Sequence, residues 1–308
     1  MFTFLTSCNT NQGKSLKLIT LSDIVDLKTL RALCHSNCAT SALGYYTLDN
    51  FIKWHERDKQ LQRVRVYTLN DGRWRHNGLY MIVDCFQLFV HILPVKEAQT
   101  LLRTALKMLD WTKGFKITAI PDMYIDTVHK VLEELRLTWE GIRLNIYQLA
   151  REKALNIKVS CPSGFKMRSL NIADAKLINE LWHANNAGSL EIIKRLIIYN
   201  NNIGVYAQES GELVAWCIRC QSGFIGMLHV KPTYRRSGLA LLLCLAMVQE
   251  IATQGDEVRA MIHEHNEASK ELCKKLCFQQ TGVTHIIYAY YPTYGAVWIH
   301  KPDSKSKL

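Results

Sequence analysis

No stretch of this chain approaches the ~20 consecutive apolar residues that span a bilayer. The longest candidate, Leu239–Val248, runs straight into Gln249-Glu250 and reads as a buried helix, so no membrane is expected as a partner. The N-terminus, MFTFLTSCNTNQGKSLK, lacks a basic segment ahead of an apolar core, which argues against a secretory leader. Arg and acids are both missing through Thr20. A cytoplasmic location is expected, with mitochondrial import as the alternative. Zinc-finger spacing, RNP-like aromatic motifs and long basic runs are also missing, which disfavours nucleic acid as a partner. Gly13-Lys14-Ser15 looks like the end of a P-loop, but Cys8 stands where the loop needs its first glycine.

What is present describes an ordinary globular protein. Apolar residues make up 48% and charged residues 21% of 308 positions, enough for sizeable cores and about two domains. The net charge of +11 suits an anionic cofactor, although one ligand does not account for all of it. Ten cysteines are scattered without a framework, so reduced thiols are expected. The one CxxC, Cys217-x-x-Cys220, falls in a strand pattern where positions three apart point to opposite faces. No metal site is expected there or elsewhere.

The pattern divides near Ala150–Gly164 (AREKALNIKVSCPSG), a polar stretch ending in Pro-Ser-Gly. Before it, helices are predicted over Leu21–Cys34 and Thr47–Lys59, then a strand over Val64–Leu69. Gly78–Leu93 reads as two strands bending near Cys85. A helix follows from Pro94 to Trp111, then a strand over Lys116–Ala119, a helix over Asp122–Leu135 and a strand over Leu137–Tyr147. After the joint, strands and helices alternate again. Phe165–Ser169 is a strand, Ile172–His183 and Leu190–Tyr199 are helices, and Ile203–Gln208 with Leu213–Cys220 forms a hairpin. Phe224–Val230, Glu257–His263 and Val283–Tyr291 are strands, with a helix over Glu267–Lys275 before the last. The polar tail KPDSKSKL reads as frayed.

One stretch organises the second half: Leu228–Ala240, LHVKPTYRRSGLA, followed by LLLCLAMVQEI. A β-prone strand stops at Pro232, and a helix runs from Leu239 to about Ala252, closed by Gly255. Between them lies Tyr234-Arg235-Arg236-Ser237-Gly238. The amides opening a helix have no helical partner and favour an anion. Gly238 lets a phosphate approach the backbone, and Arg235 and Arg236 add charge that pairs with phosphate oxygens.

Arg235-x-x-Gly238-x-Ala240 resembles the pyrophosphate signature of the GNAT acyltransferase superfamily, and Val230-Lys231-Pro232 is similar to the strand end that precedes it there. Asn266-Glu267-Ala268 through Leu276-Cys277-Phe278 resembles the family's next helix. Met167–Leu181 (MRSLNIADAKLINEL) resembles its first strand and helix. The layout of the whole chain resembles the glycine N-acyltransferase-like proteins, which pair a degenerate GNAT-like half with a competent one. The resemblance implies an α+β (α/β mixed-sheet) fold of two tandem domains: residues 1–155, degenerate, and 160–300, competent for acyl-CoA. His91–Lys96 in the first half has no glycine, so that half is expected not to bind CoA in this manner.

It implies acyl-CoA as co-substrate, without a metal, and a small amine or amino acid as acceptor. The cofactor would be held by Leu228, Val230, Arg235, Arg236, Ser237, Gly238, Leu239, Ala240 and Asn266. Oligomeric state is left open. The general base is the awkward part. Family members that carry a base on the central strand have it at positions matching Phe224 or Gly226, neither of which can take a proton. His263, Glu264 and His265 follow the next strand: one is a base acting through a water, or the segment is a solvated loop. Cys273 replaces the usual acidic Tyr and is either a proton donor or an inert buried thiol. His229 is expected to point away from the cleft. Tyr288, Tyr290, Tyr291 and Tyr294 either line the acceptor pocket or edge the sheet. An alternative function is a CoA-binding protein that has lost its chemistry.

Overall fold

The computed structural model describes residues 15–34, 41–59, 61 and 64–295. The N-terminal stretch through Lys14 and the tail KPDSKSKL lie outside them. In chain order the first half carries β1 (Leu18–Thr20), α1 (Ile24–Leu33), α2 (Ala42–Arg57), β2 (Val64–Leu69), α3 (Trp74–Asn77), β3 (Tyr80–Asp84) and β4 (Gln87–His91). It continues with α4 (Ala98–Lys107), β5 (Phe115–Pro121), α5 (Ile125–Glu134), β6 (Thr138–Leu149) and α6 (Arg151–Leu155). The second half carries β7 (Phe165–Arg168), α7 (Ala175–Leu181), α8 (Ser189–Tyr199), β8 (Asn202–Ala207), β9 (Leu213–Arg219) and β10 (Phe224–Val230). It ends with α9 (Leu239–Thr253), β11 (Val258–His263), α10 (Glu267–Lys275) and β12 (Gln279–Tyr290). The sequence patterns find most of these but not β1, α3 or α6, the last of which falls in the polar stretch read as the joint. The helix expected from Pro94 is shorter, because Leu93 to Glu97 turn before Ala98 begins it.

All strands join one sheet in the order β1-β2-β3-β4-β5-β12-β6-β11-β10-β9-β8-β7. The two halves repeat a plan. Each has an antiparallel run, then one parallel pair that lasts only two positions: Gln87↔Lys116 and Leu88↔Ile117 in the first half, Phe224↔Arg259 and Ile225↔Ala260 in the second. The centre is exchanged. β12 of the second half pairs with β5, and β6 of the first half pairs with β11, while β6 and β12 pair with each other from Thr138↔Tyr290 to Gln148↔Gln279. Each half therefore completes the other's core. Ile287 and Ala289 of β12 are buried among Leu102, Ile117, Val128 and Leu132 of the first half. Leu149 of β6 is buried among Leu243, Met247 and Val258 of the second.

A polar contact also ties the halves. Asp84 of β3 is fully buried against Arg195 of α8 (2.5 Å), with Gln221 donating to Asp84 and Gln87. Burial raises the Asp84 pKa, and the Arg195 charge and the Gln221 hydrogen bond oppose that rise.

Two predictions test this packing. Ile287→Ala removes buried methylenes from the first half's core and is expected to cost about 2–5 kcal/mol, read as a lower urea midpoint in a single transition for both halves. His91 is buried against the Cys34 Sγ at 3.4 Å, and burial lowers its pKa to about 4. The folded imidazole is neutral where the unfolded one is charged. The unfolded state thus binds the extra proton, and stability falls as pH drops from about 6.5 to about 4, by about 3 kcal/mol. His91→Gln is expected to flatten that acid limb in denaturation measured across this range.

Candidate functional site

The site begins with a bulge. Gly226 pairs with Ile218 and His229 with Trp216, so β10 spends three steps where β9 spends two. Met227 takes the extra step at φ 49°. A bulge bends and twists its strand, and beyond Ile225 β10 leaves β11. The bulge also resets the faces. Phe224 packs with Leu43 and Ile146, whereas Leu228 and Val230, which strict alternation would put beside it, pack on the α9 side. Met227 joins the opposite core, and the His229 ring stacks on Trp216 at 4.5 Å.

Between the parted strands lies a cavity of about 310 Å³. Its walls include Gly226, Leu228 and His229 of β10, His263 at the end of β11, Asn266, and Cys273 of α10. Past the end of β10, Pro232–Tyr234 make a 3-10 turn, Arg236 and Gly238 take positive φ (63° and 83°), and α9 starts at Leu239. Leu242 N–H makes the first helical bond, to the Gly238 carbonyl at 3.0 Å, so the amides of Leu239 and Ala240 open the helix without helical partners. A Cβ on Gly238 would meet no atom within 4 Å, so its absence leaves the approach to those amides clear. Arg235, Arg236 and Ser237 are exposed around it. Ser237 Oγ donates to the Tyr234 carbonyl (2.5 Å) and Arg235 Nε to that of Val230 (3.3 Å).

The expected catalytic residues separate. His263 lines the cavity, but its Nδ1 accepts the His265 N–H at 3.2 Å. A neutral His263 therefore carries its proton on Nε2 and presents a donor. Glu264 faces away, within 3.7 Å of Arg143 and 3.6 Å of His265 Nε2. Cys273 is in the wall, and burial pushes its thiol up to about 11, which makes it a weaker acid than a free thiol. Asn266 caps α10, its Oδ1 accepting from Ser269 N–H at 3.1 Å while the residue borders the cavity.

His229 does not point away from the cleft. The bulge turns it into the wall, where its Nε2 is buried and has no hydrogen-bond partner among the described residues. Burial lowers its pKa, with Arg235, His183 and Lys231 adding to the effect, so the ring favours its neutral form. Trp182 and His183 also line the cavity. Sequence reasoning missed them by running the helix to His183. The helix ends at Leu181, and Trp182 is extended (ψ 117°). Phe224 is closed off, 1% exposed, beneath the buried Arg259 guanidinium 4.9 Å from its ring. Of the tyrosines, Tyr294 is 68% exposed and Tyr288 lies near Lys116 (5.5 Å). Among the described residues no His/Cys/Asp/Glu group could hold a metal ion, and no helix is long and apolar enough to cross a membrane.

The FR47-like protein family matches residues 202–287. Human glycine N-acyltransferase is 24% identical over 181 residues, 58% of this chain and 59% of that protein, so the match spans about three fifths of the relative's length. A Drosophila protein solved by structural genomics superposes with a TM-score of 0.80 at 25% identity, covering 89% of this chain and 98% of that one. A tandem GNAT protein from the clavulanic acid biosynthesis pathway shares the fold, with a TM-score of 0.54 at 12% identity over 89% of this chain and 98% of that one. With strands that part beside a basic glycine turn and these likenesses around them, the chain carries an FR47-like region over 202–287, resembles glycine N-acyltransferase and shares its fold with GNAT proteins, a tandem one among them.

Proposed function

We propose that the protein transfers an acyl group from acyl-CoA to the nitrogen of a small amine or amino acid by direct attack, using the 160–300 half for the co-substrate. The observation that carries this reading is the parting of β10 from β11 after Ile225, on the strand that leads into the Arg235–Ala240 turn. Bound acyl-CoA supplies a thioester activated toward amines. The chain's own groups do the rest. Arg235, Arg236, Ser237 and the opening amides of α9 form an anion-binding mouth for the pyrophosphate. Leu228 and Val230 offer backbone that β11 no longer uses, and Asn266 adds an amide group at the far wall.

An amine with pKa near 10 costs roughly 4 kcal/mol to deprotonate at pH 7. Neutral His229, whose Nε2 in the cavity wall has no partner among the described residues, suits the proton acceptor better than Glu264, which is turned to Arg143. His263, carrying its proton on Nε2, suits a donor to developing negative charge. The first half lacks the glycine turn: α4 opens at Ala98 after Glu97, an acid that repels phosphate. A second reading, CoA binding without chemistry, is favoured by the sealed Phe224 where a base would stand, and turnover with any of a panel of amines removes it.

Arg235→Glu and Gly238→Asp are expected to weaken acyl-CoA binding at least tenfold in calorimetry while the fold persists. Unchanged affinity would contradict the site. His229→Gln is expected to lower kcat by about 10²- to 10⁴-fold with acyl-CoA affinity intact. The lowered pKa of His229 gives the sign of the pH profile. The base is lost only when it protonates, so kcat/KM is expected to fall on the acid side, at a lower pH than an ordinary imidazole would give.

A further inference from the structure

A second cavity, of about 720 Å³, lies where α2 of the first half faces the second half. It shares no wall residue with the cavity beside β10. Its walls include Gly223, just ahead of β10, and Gln254, just past α9. A helix rises about 1.5 Å per residue, so Gln254 stands roughly 22 Å along the axis from Leu239 and the glycine turn. This space is at the other end of α9 from the site described for the co-substrate's pyrophosphate.

α2 gives the cavity a polar stripe. Tyr46, Asn50, Lys53 and Arg57 recur at helical spacing and line it, whereas Leu48, Phe51, Ile52 and Trp54 turn into the apolar core. Bonds between the halves frame the gap. Arg57 Nη1 donates to the Tyr199 carbonyl (2.6 Å), Trp54 Nε1 to Asn200 Oδ1 (2.6 Å), and the Glu257 N–H to the Tyr46 hydroxyl (3.2 Å). The space is therefore preformed, and its volume falls in the ~300–1,000 Å³ range of small-molecule sites.

The walls select the ligand. Their cations have internal partners: Lys53 pairs with Asp49 (2.7 Å), Arg219 with Asp256 (2.8 Å), and Arg57 bonds the carbonyl just named. An anion would have to displace these. Each tyrosine ring already packs on another ring, Tyr199 on Trp54 (5.4 Å) and Tyr46 on Tyr45 (5.3 Å), which disfavours a flat aromatic ligand. What is left is amide and carboxylate. Asn50 Nδ2 is buried and has no hydrogen-bond partner among the described residues. Glu250 accepts from Asn201 Nδ2 through one oxygen (2.6 Å), which leaves the other oxygen for a second donor. Neighbouring hydroxyls, each a donor and an acceptor, match such a wall. A buried donor without an acceptor is costly, which favours a ligand oxygen at Asn50.

We infer that this cavity is a second ligand site, for a neutral hydroxyl-rich molecule of cyclitol or sugar size, with one ligand oxygen accepting from Asn50. Neither the glycine turn nor His229 borders this space, so polyol binding stands apart from acyl transfer.

The test is calorimetry on the full chain with myo-inositol, glucose and maltose, and with inorganic phosphate and benzamide as the anionic and aromatic alternatives. Calorimetry reads binding itself, so the general stabilisation that excluded sugars give any protein does not enter. Wild type is expected to bind at least one of the three polyols at least tenfold more tightly than phosphate or benzamide. Asn50→Leu is expected to weaken that binding at least tenfold with acyl-CoA affinity unchanged. Ser169→Trp, at an exposed position on the wall, is expected to fill the space and abolish polyol binding, and it serves in place of Asn50→Leu should that variant not fold. Hydrogen exchange with the bound polyol is expected to slow at amides of 50–57 and 199–202 and not at 226–230. No polyol binding by wild type, a preference for phosphate or benzamide, or binding indifferent to both substitutions overturns the inference.

Discussion

The structure depends on one broken partnership. β10 and β11 begin as a parallel pair, hold for two positions, and separate where Met227 adds a residue that β9 cannot match. A parallel pair left open exposes amide and carbonyl groups that have to find partners. Here they border a cavity with apolar and imidazole walls, and the turn below presents the opening amides of α9 beside two arginines. The same step decides which side chains face that space. It moves Leu228 and Val230 to the α9 side and brings His229 onto Trp216.

The central exchange of strands gives that gap a rigid frame. β11 loses β10 on one side but keeps β6 on the other, paired along its whole length from Val258↔Leu149 to His263↔Leu144. Because β6 comes from the first half and β12 returns to it, neither half owns its own core. The buried Asp84–Arg195 pair crosses the same boundary. This explains how a half without a phosphate turn still bears on the site: it buttresses β11 through β6.

Much of this was legible in the sequence. The strands Val64–Leu69 and Phe224–Val230 match their patterns residue for residue, and so does the helix Glu267–Lys275, because each has one buried face and clear stops at its ends. The basic turn was legible because Arg235, Arg236 and Gly238 stand between a strand stop and a helix start, and there Gly238 takes positive φ. The strand exchange was not, since β6 and β12 read alike as alternating strands and nothing local says which neighbour each will take. His229 was misplaced because a bulge shifts the faces by one without changing composition.

The account stands on acyl-CoA lying between β10 and β11. Hydrogen exchange on the intact protein with and without acyl-CoA tests this most directly. The account predicts slowed exchange at the amides of 226–230, 239–241 and 262–266, with the corresponding strands and helix of the first half unchanged. Slowing confined to the first half, or none in a folded sample at saturating acyl-CoA, would contradict it.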